Sequence, residues 1–131
     1  MCGQRMLCQP RRVAPTAVVV DDHADFRAHA VQLLDAAGYE VVGSCPDGRS
    51  ALAAIVTLRP DLVLLDVQLP DIDGFGVMAQ VEELDADPTI VLISTREEAD
   101  YGSRVVRSGA AGFITKAELS VQSLSRAVAR L

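Results

Sequence analysis

Five short apolar runs recur along the chain, and they constrain the fold more than any other feature. They are AVVV at 17–20, YEVVG at 39–43, LVLL at 62–65, IVLI at 90–93 and AGFI at 111–114. Each is too short for a helix and rich in β-branched residues. The runs are continuous rather than alternating, as strands covered on both faces must be. Between them lie segments with helical spacing. In 24–37, Phe26, Ala30, Leu33, Leu34 and Ala37 recur on one face, and Gly38 stops the helix. The segment 47–58 opens on Asp47 as a cap and ends before Pro60. Further helices are predicted over 75–85, 97–108 and 119–131. The last carries a stripe of Val121, Leu124, Val128 and Leu131. Five strands alternating with five helices predict an α/β fold, with one parallel sheet covered on both faces. A chain of 131 residues fits one domain with a single sizeable core.

Composition excludes several classes. No apolar run approaches the roughly 20 residues that span a bilayer. The opening MCGQRMLCQPRR lacks the apolar stretch of a secretory signal. A cytoplasmic location and no membrane contact are the default expectations. Arg5, Arg11 and Arg12 give the first 15 residues a charge of +3, while the rest carries 9 basic and 18 acidic residues. A domain this acidic is not expected to bind nucleic acid. Residues 1–15 read as a short, flexible, basic extension and 16–131 as the domain, with no output domain after it. Cys2, Cys8 and Cys45 are odd in number and lack paired spacing, which argues against a disulfide framework or a zinc site. Cys45 reads as a small core residue at a strand end.

The strand ends carry the chemistry. The first strand runs into Asp21 and Asp22, the third into Asp66, the fourth into Ser94 and Thr95, and the fifth through Thr115 into Lys116. In an open parallel sheet, ligands sit beyond the carboxyl ends of the strands. Three carboxylates, a hydroxyl and an ammonium therefore face one crevice. Carboxylates so close repel one another unless one is protonated or a cation sits among them. An all-oxygen acidic pocket suits Mg²⁺, which keeps its own waters and then takes a phosphate oxygen. A carboxylate beside such an ion is a nucleophile towards phosphorus. Neither a GxxxxGK[ST] loop nor a GxGxxG turn is present, so this is phosphoryl chemistry without a nucleotide site.

The stretches VVVDDHADFR, VLLDVQLPDIDG, IVLIST and SGAAGFITKAELS together resemble the receiver domain of bacterial two-component response regulators over about residues 16 to 131. The resemblance implies a doubly wound, flavodoxin-like five-stranded parallel sheet of order 2-1-3-4-5 with five helices. It implies Asp66 as phosphoacceptor, and Mg²⁺ held by Asp21, Asp22, Asp66 and the Gln68 backbone carbonyl. Ser94 would be the hydroxyl switch, Phe113 the aromatic switch and Lys116 the phosphate-binding lysine. Gln68, Thr95 and Arg96 would modulate the site. Pro70 and Gly74 match the turn after the acceptor. A histidine kinase or phosphotransfer protein would supply the phosphoryl group. A downstream protein, or a second copy of the chain, would dock on residues 97–131. The opening DDH…FR is most similar to regulators that carry a helix-turn-helix output. Two departures stand out. Ala117 follows the lysine where many receivers have a cis proline, so a trans bond is expected. Phe113 replaces the Tyr of some relatives and cannot donate a hydrogen bond.

Rival readings are weaker. DIDG resembles the nucleophile motif of haloacid-dehalogenase-type phosphatases, but Asp71 does not directly end a strand. An EF-hand loop with Gly74 at its sixth position would begin on Leu69 and end on Gln80, neither a charged ligand. Asp71 and Asp73 read as solvated turn acids, His23 as a polar helix start and His29 as exposed. Tyr101 fits a partner surface and a core cap equally well. A phosphate relay or sink, or a module that works without phosphate, are the functional alternatives. The complete acid, hydroxyl and lysine set argues against the second of these.

Overall fold

The computed structural model describes residues 14–129. The expectations for Cys2, Cys8, Leu131 and most of the basic extension fall outside them. The strands are β1 (Thr16–Val20), β2 (Glu40–Cys45), β3 (Leu62–Asp66), β4 (Thr89–Ser94) and β5 (Gly112–Thr115). They form one parallel sheet in the order β2-β1-β3-β4-β5. The helices are α1 (Ala24–Ala36), α2 (Gly48–Leu58), α3 (Gly74–Val81), α4 (Arg104–Ser108) and α5 (Val121–Ala129). This is the doubly wound fold that the resemblance implies.

Alternation along each strand splits the core into two layers. Val18, Val20, Val63, Leu65 and Leu92 face Ala51 and Ile55 of α2, Val77, Met78 and Val81 of α3, and Val105 of α4. Ala17, Val19, Leu62, Leu64, Val91 and Ile93 face Ala30 and Leu34 of α1, and Leu124 and Ala127 of α5. β3 is buried along its whole length, which is why its sequence shows no polar alternation. Gly112 lets α5 lie close, since a Cβ there would sit 2.8 Å from the Ala127 Cβ. Cys45 is buried at the end of β2, as expected, and burial pushes its thiol pKa up.

Local signals account for most boundaries. Gly38 follows α1 with φ +96°. Asp47 caps α2, accepting from the Ser50 N–H at 2.9 Å. Two expectations need correction. The third helix stops at Val81 rather than at 85, and single tighter turns follow at Glu83 and Leu84. The segment 97–108 is not one helix. A 3₁₀ turn (Glu98–Tyr101) and the short α4 are separated by Gly102, whose φ of +60° a helix cannot accommodate. None of the described helices is long and apolar enough to cross a membrane. No cis peptide bond occurs among the described residues, Lys116–Ala117 included.

Candidate functional site

The site is built at the carboxyl edge of the sheet, where β1, β3, β4 and β5 end side by side. Asp21 follows β1 and is fully buried, Asp66 ends β3 at 2% exposure, and Ser94 ends β4, also fully buried. Asp22 and His23 are exposed at the rim. Lys116 follows β5 and reaches back across β4, placing Nζ 2.6 Å from Asp21 Oδ2 and 3.2 Å from Asp66 Oδ2. Its ammonium also lies 4.6 Å from the centroid of the Phe26 ring, which fixes it from the α1 side. Arg27, one residue further along α1, donates to the Asp21 carbonyl at 2.6 Å.

The loop after β3 is shaped around the end of that strand. The Val67 N–H continues the sheet by donating to the Ile93 carbonyl at 2.9 Å, and the Gly74 N–H donates to the Val67 carbonyl at 2.7 Å. A Cβ on Gly74 would lie 2.7 Å from the Asp66 carbonyl oxygen and 2.9 Å from the Val67 Cα, so only glycine closes this loop. The Gln68 N–H donates to Asp66 Oδ1 at 3.1 Å. Burial pushes the Asp66 pKa up to about 6. The Gln68 N–H works against that rise, the Asp21 charge adds to it, and Lys116 opposes it. Burial alone would lower the Lys116 pKa, but its hydrogen bond to Asp21 and the charges of Asp66 and Asp21 raise it instead.

Donor atoms of Asp21, Asp22, His23 and Asp66 all lie within 4.8 Å of one another. Asp21 Oδ2 is buried with no aligned hydrogen bond. Its contact at 2.6 Å with the Lys116 ammonium is an ion pair. Three carboxylates gathered this closely fit a hard divalent cation of the Mg²⁺ type. His23 Nδ1 lies 3.2 Å from Asp21 Oδ1 and 3.0 Å from Asp22 Oδ1, so it sits against the acid pair and is occupied by it. The position of His23, preceding α1 without a side-chain cap, agrees with a polar helix start.

The remaining candidates fall around this centre. Ser94 Oγ accepts from the Arg96 N–H at 3.0 Å, while Thr95 is exposed and only 3.5 Å from Gln68 Oε1. The side chains of Gln68 and Arg96 stand at the exposed rim. Phe113 is half-buried on β5, its ring centroid 5.9 Å from that of Tyr101. Two acids read as solvated turn residues have structural roles. Asp71 accepts from the N–H groups of Gly48 at 2.8 Å and Arg49 at 2.9 Å, capping α2 from the loop after β3. These and its neighbouring backbone N–H groups hold its pKa down to about 2. Asp73 caps α3 through the Gly76 N–H and pairs with Arg104 at 3.3 Å. Tyr101 is the residue that sequence reasoning left undecided, and its hydroxyl lies 2.7 Å from Ser94 Oγ.

Such a sheet, with acids, a hydroxyl and a lysine at one edge, has the architecture of a receiver domain. The chain belongs to the response regulator receiver domain family, which it matches over residues 17–129. It is 38% identical over 109 residues to the transcriptional regulatory protein NarL of Mycobacterium tuberculosis, covering 82% of this chain and 50% of that protein. It is 34% identical over 109 residues to a protein-glutamate methylesterase/protein-glutamine glutaminase of Archaeoglobus fulgidus, covering 82% of this chain and 31% of that one. Among solved structures it resembles the receiver domain of M. tuberculosis NarL, with a TM-score of 0.76 and 34% identity over 88% of this chain and 97% of that domain. The chain thus spans about half the length of the first relative and about a third of the second. Residues 17–129 are thus a receiver module of two-component signalling.

Proposed function

We propose that Asp66 accepts a phosphoryl group from a histidine kinase or phosphotransfer protein, and that a protein partner reads the product. The observation that carries this reading is the buried Asp66 carboxylate 3.2 Å from Lys116 Nζ, with the Asp21 carboxylate sharing the same ammonium. With its pKa raised to about 6, Asp66 is mainly ionised at neutral pH and keeps a free lone pair on Oδ2. That oxygen attacks phosphorus. The bond from phosphorus to the donor atom breaks, and the donor leaves with the electron pair. Lys116 balances charge on the transferred group, and its Phe26 and Asp21 contacts hold it in place for that task. Asp21, Asp22, Asp66 and the Gln68 carbonyl would hold Mg²⁺. Bound there, it would neutralise phosphoryl oxygens and the crowded carboxylates.

The readout surface in this proposal is the 97–131 side of the domain. Val106 on α4 is 77% exposed, the most exposed of the large apolar side chains among the described residues, and lies beside the exposed Arg107. A small acyl phosphate with Mg²⁺ tests the acceptor directly. Intact-mass measurement is expected to show one phosphoryl group on the wild type and none on Asp66→Asn. Equal uptake by the two proteins would rule Asp66 out.

A further inference from the structure

The hydroxyl that a receiver offers to a phosphoryl oxygen is here already engaged. A serine hydroxyl has one proton and two lone pairs. Ser94 Oγ accepts from the Arg96 N–H at 3.0 Å and shares a 2.7 Å hydrogen bond with Tyr101 Oη. Both partners belong to the segment after β4. Among the described residues, none of the site carboxylates bonds this hydroxyl. Ser94 is fully buried, so water does not compete for it.

The Tyr101 ring is held firmly enough to make that bond specific. It packs edge-on against Phe75 of α3 at 5.6 Å and at a tilt against Phe113 of β5 at 5.9 Å. Phe75 is covered in turn by the Arg104 guanidinium at 4.3 Å, and Arg104 pairs with Asp73 at the end of the acceptor loop. Phe113 has no hydroxyl. The only aromatic oxygen that reaches Ser94 therefore comes from the 3₁₀ turn, immediately before the left-handed Gly102.

We propose that Tyr101 is a positioning residue, a latch that holds the Ser94 hydroxyl away from Asp66 until a phosphoryl oxygen competes for it. The proposal rests on the reading of Asp66 as the acceptor. When Ser94 turns to the phosphoryl group, Tyr101 Oη loses its partner. Its ring and the 3₁₀ turn are then released from the edge of the sheet. A bond broken at the site thereby becomes a change in the segment 97–104.

The test compares wild type with Tyr101→Phe, which removes one oxygen and keeps the ring. Labelling by a small acyl phosphate with Mg²⁺ is expected to quicken by roughly 3- to 10-fold, the range set by the net contribution of one neutral hydrogen bond. In the unphosphorylated variant, amide exchange at 94–104 is expected to rise towards that of the wild type carrying a beryllium fluoride mimic. A double-mutant cycle with Ser94→Ala separates the latch from simple loosening, because without the serine hydroxyl the Tyr101→Phe change should add nothing. A wild type that labels, with Tyr101→Phe labelling at the same rate or more slowly, overturns the latch alone. The same acceleration in the Ser94→Ala background also overturns it. A wild type that takes up no phosphate removes the Asp66 reading and the latch together.

Discussion

At the scale of residues, the site acids were legible because strand ends mark themselves in sequence. Asp21, Asp66, Ser94 and Lys116 each follow a continuous apolar run, and a parallel sheet brings such ends together. Asp71 is exposed in the turn as expected, but its capping role was missed for the opposite reason. Its partners Gly48 and Arg49 lie 23 and 22 residues earlier in the chain, and no local pattern announces a cap supplied from another loop. Tyr101 was undecided because the single helix expected over 97–108 concealed the 3₁₀ turn that carries it back to Ser94. The Asp71 cap has a pH signature. Its carboxyl titrates near 2 in the folded state, against an ordinary value of 3.8. A carboxylate lowered by folding contributes stability that is fully present above its unfolded value and lost as pH falls to the folded one. Asp71→Ala should therefore melt below wild type by a constant margin above about pH 5, and the margin should shrink between 3.8 and about 2. Melting curves across that range decide it. A margin that stays flat down to pH 2 would mean that Asp71 does not cap α2.

At the scale of elements, strands and four of the helices followed from periodicity and caps, but the segment 97–108 did not. Helical spacing placed one helix there, with Gly102 in its interior. Gly102 instead adopts φ +60° and ψ −134°, a region that residues with a Cβ avoid. The 3₁₀ turn is held by a capping box between Glu97 and Asp100 and has no buried residue. The short α4 buries Val105 alone. So little apolar burial makes this the most easily opened part of the described fold. Gly102→Ala isolates the backbone effect, because a Cβ there would meet nothing within 4 Å. The substitution is expected to cost about 1–3 kcal/mol of backbone strain. It should speed hydrogen exchange across 97–108 while amides of β1, β3 and β4 keep their protection. Faster exchange spread evenly over the sheet would contradict a separate, weakly held element.

At the scale of the whole molecule, periodicity established a parallel sheet with two covered faces but not the order of its strands. That order came from the resemblance, since nothing in an apolar run names its neighbour. The order matters because it places β3 between β1 and β4, so that the Lys116 ammonium reaches both the Asp21 and the Asp66 carboxylates. Folding thus gathers charges that the unfolded chain keeps apart. Three carboxylates lie within 4.8 Å of one another and a single ammonium contacts two of them, in a chain whose net charge is already −6. Their repulsion opposes folding, and a cation bound only by the folded state reverses it by mass action. At a hundredfold excess over its dissociation constant, Mg²⁺ should add about 2.7 kcal/mol. Asp22 is the ligand candidate to remove. Its side chain is 38% exposed, so truncation leaves no buried cavity, and the Asp21–Lys116–Asp66 contacts do not involve it. Without Mg²⁺, Asp22→Ala should be at least as stable as wild type, because one of the repelling charges has gone. With Mg²⁺, wild type should rise past it. Melting temperatures of both proteins over a Mg²⁺ titration test the pair of statements. An Asp22→Ala protein that gains as much from Mg²⁺ as wild type would place the ion away from this edge of the sheet.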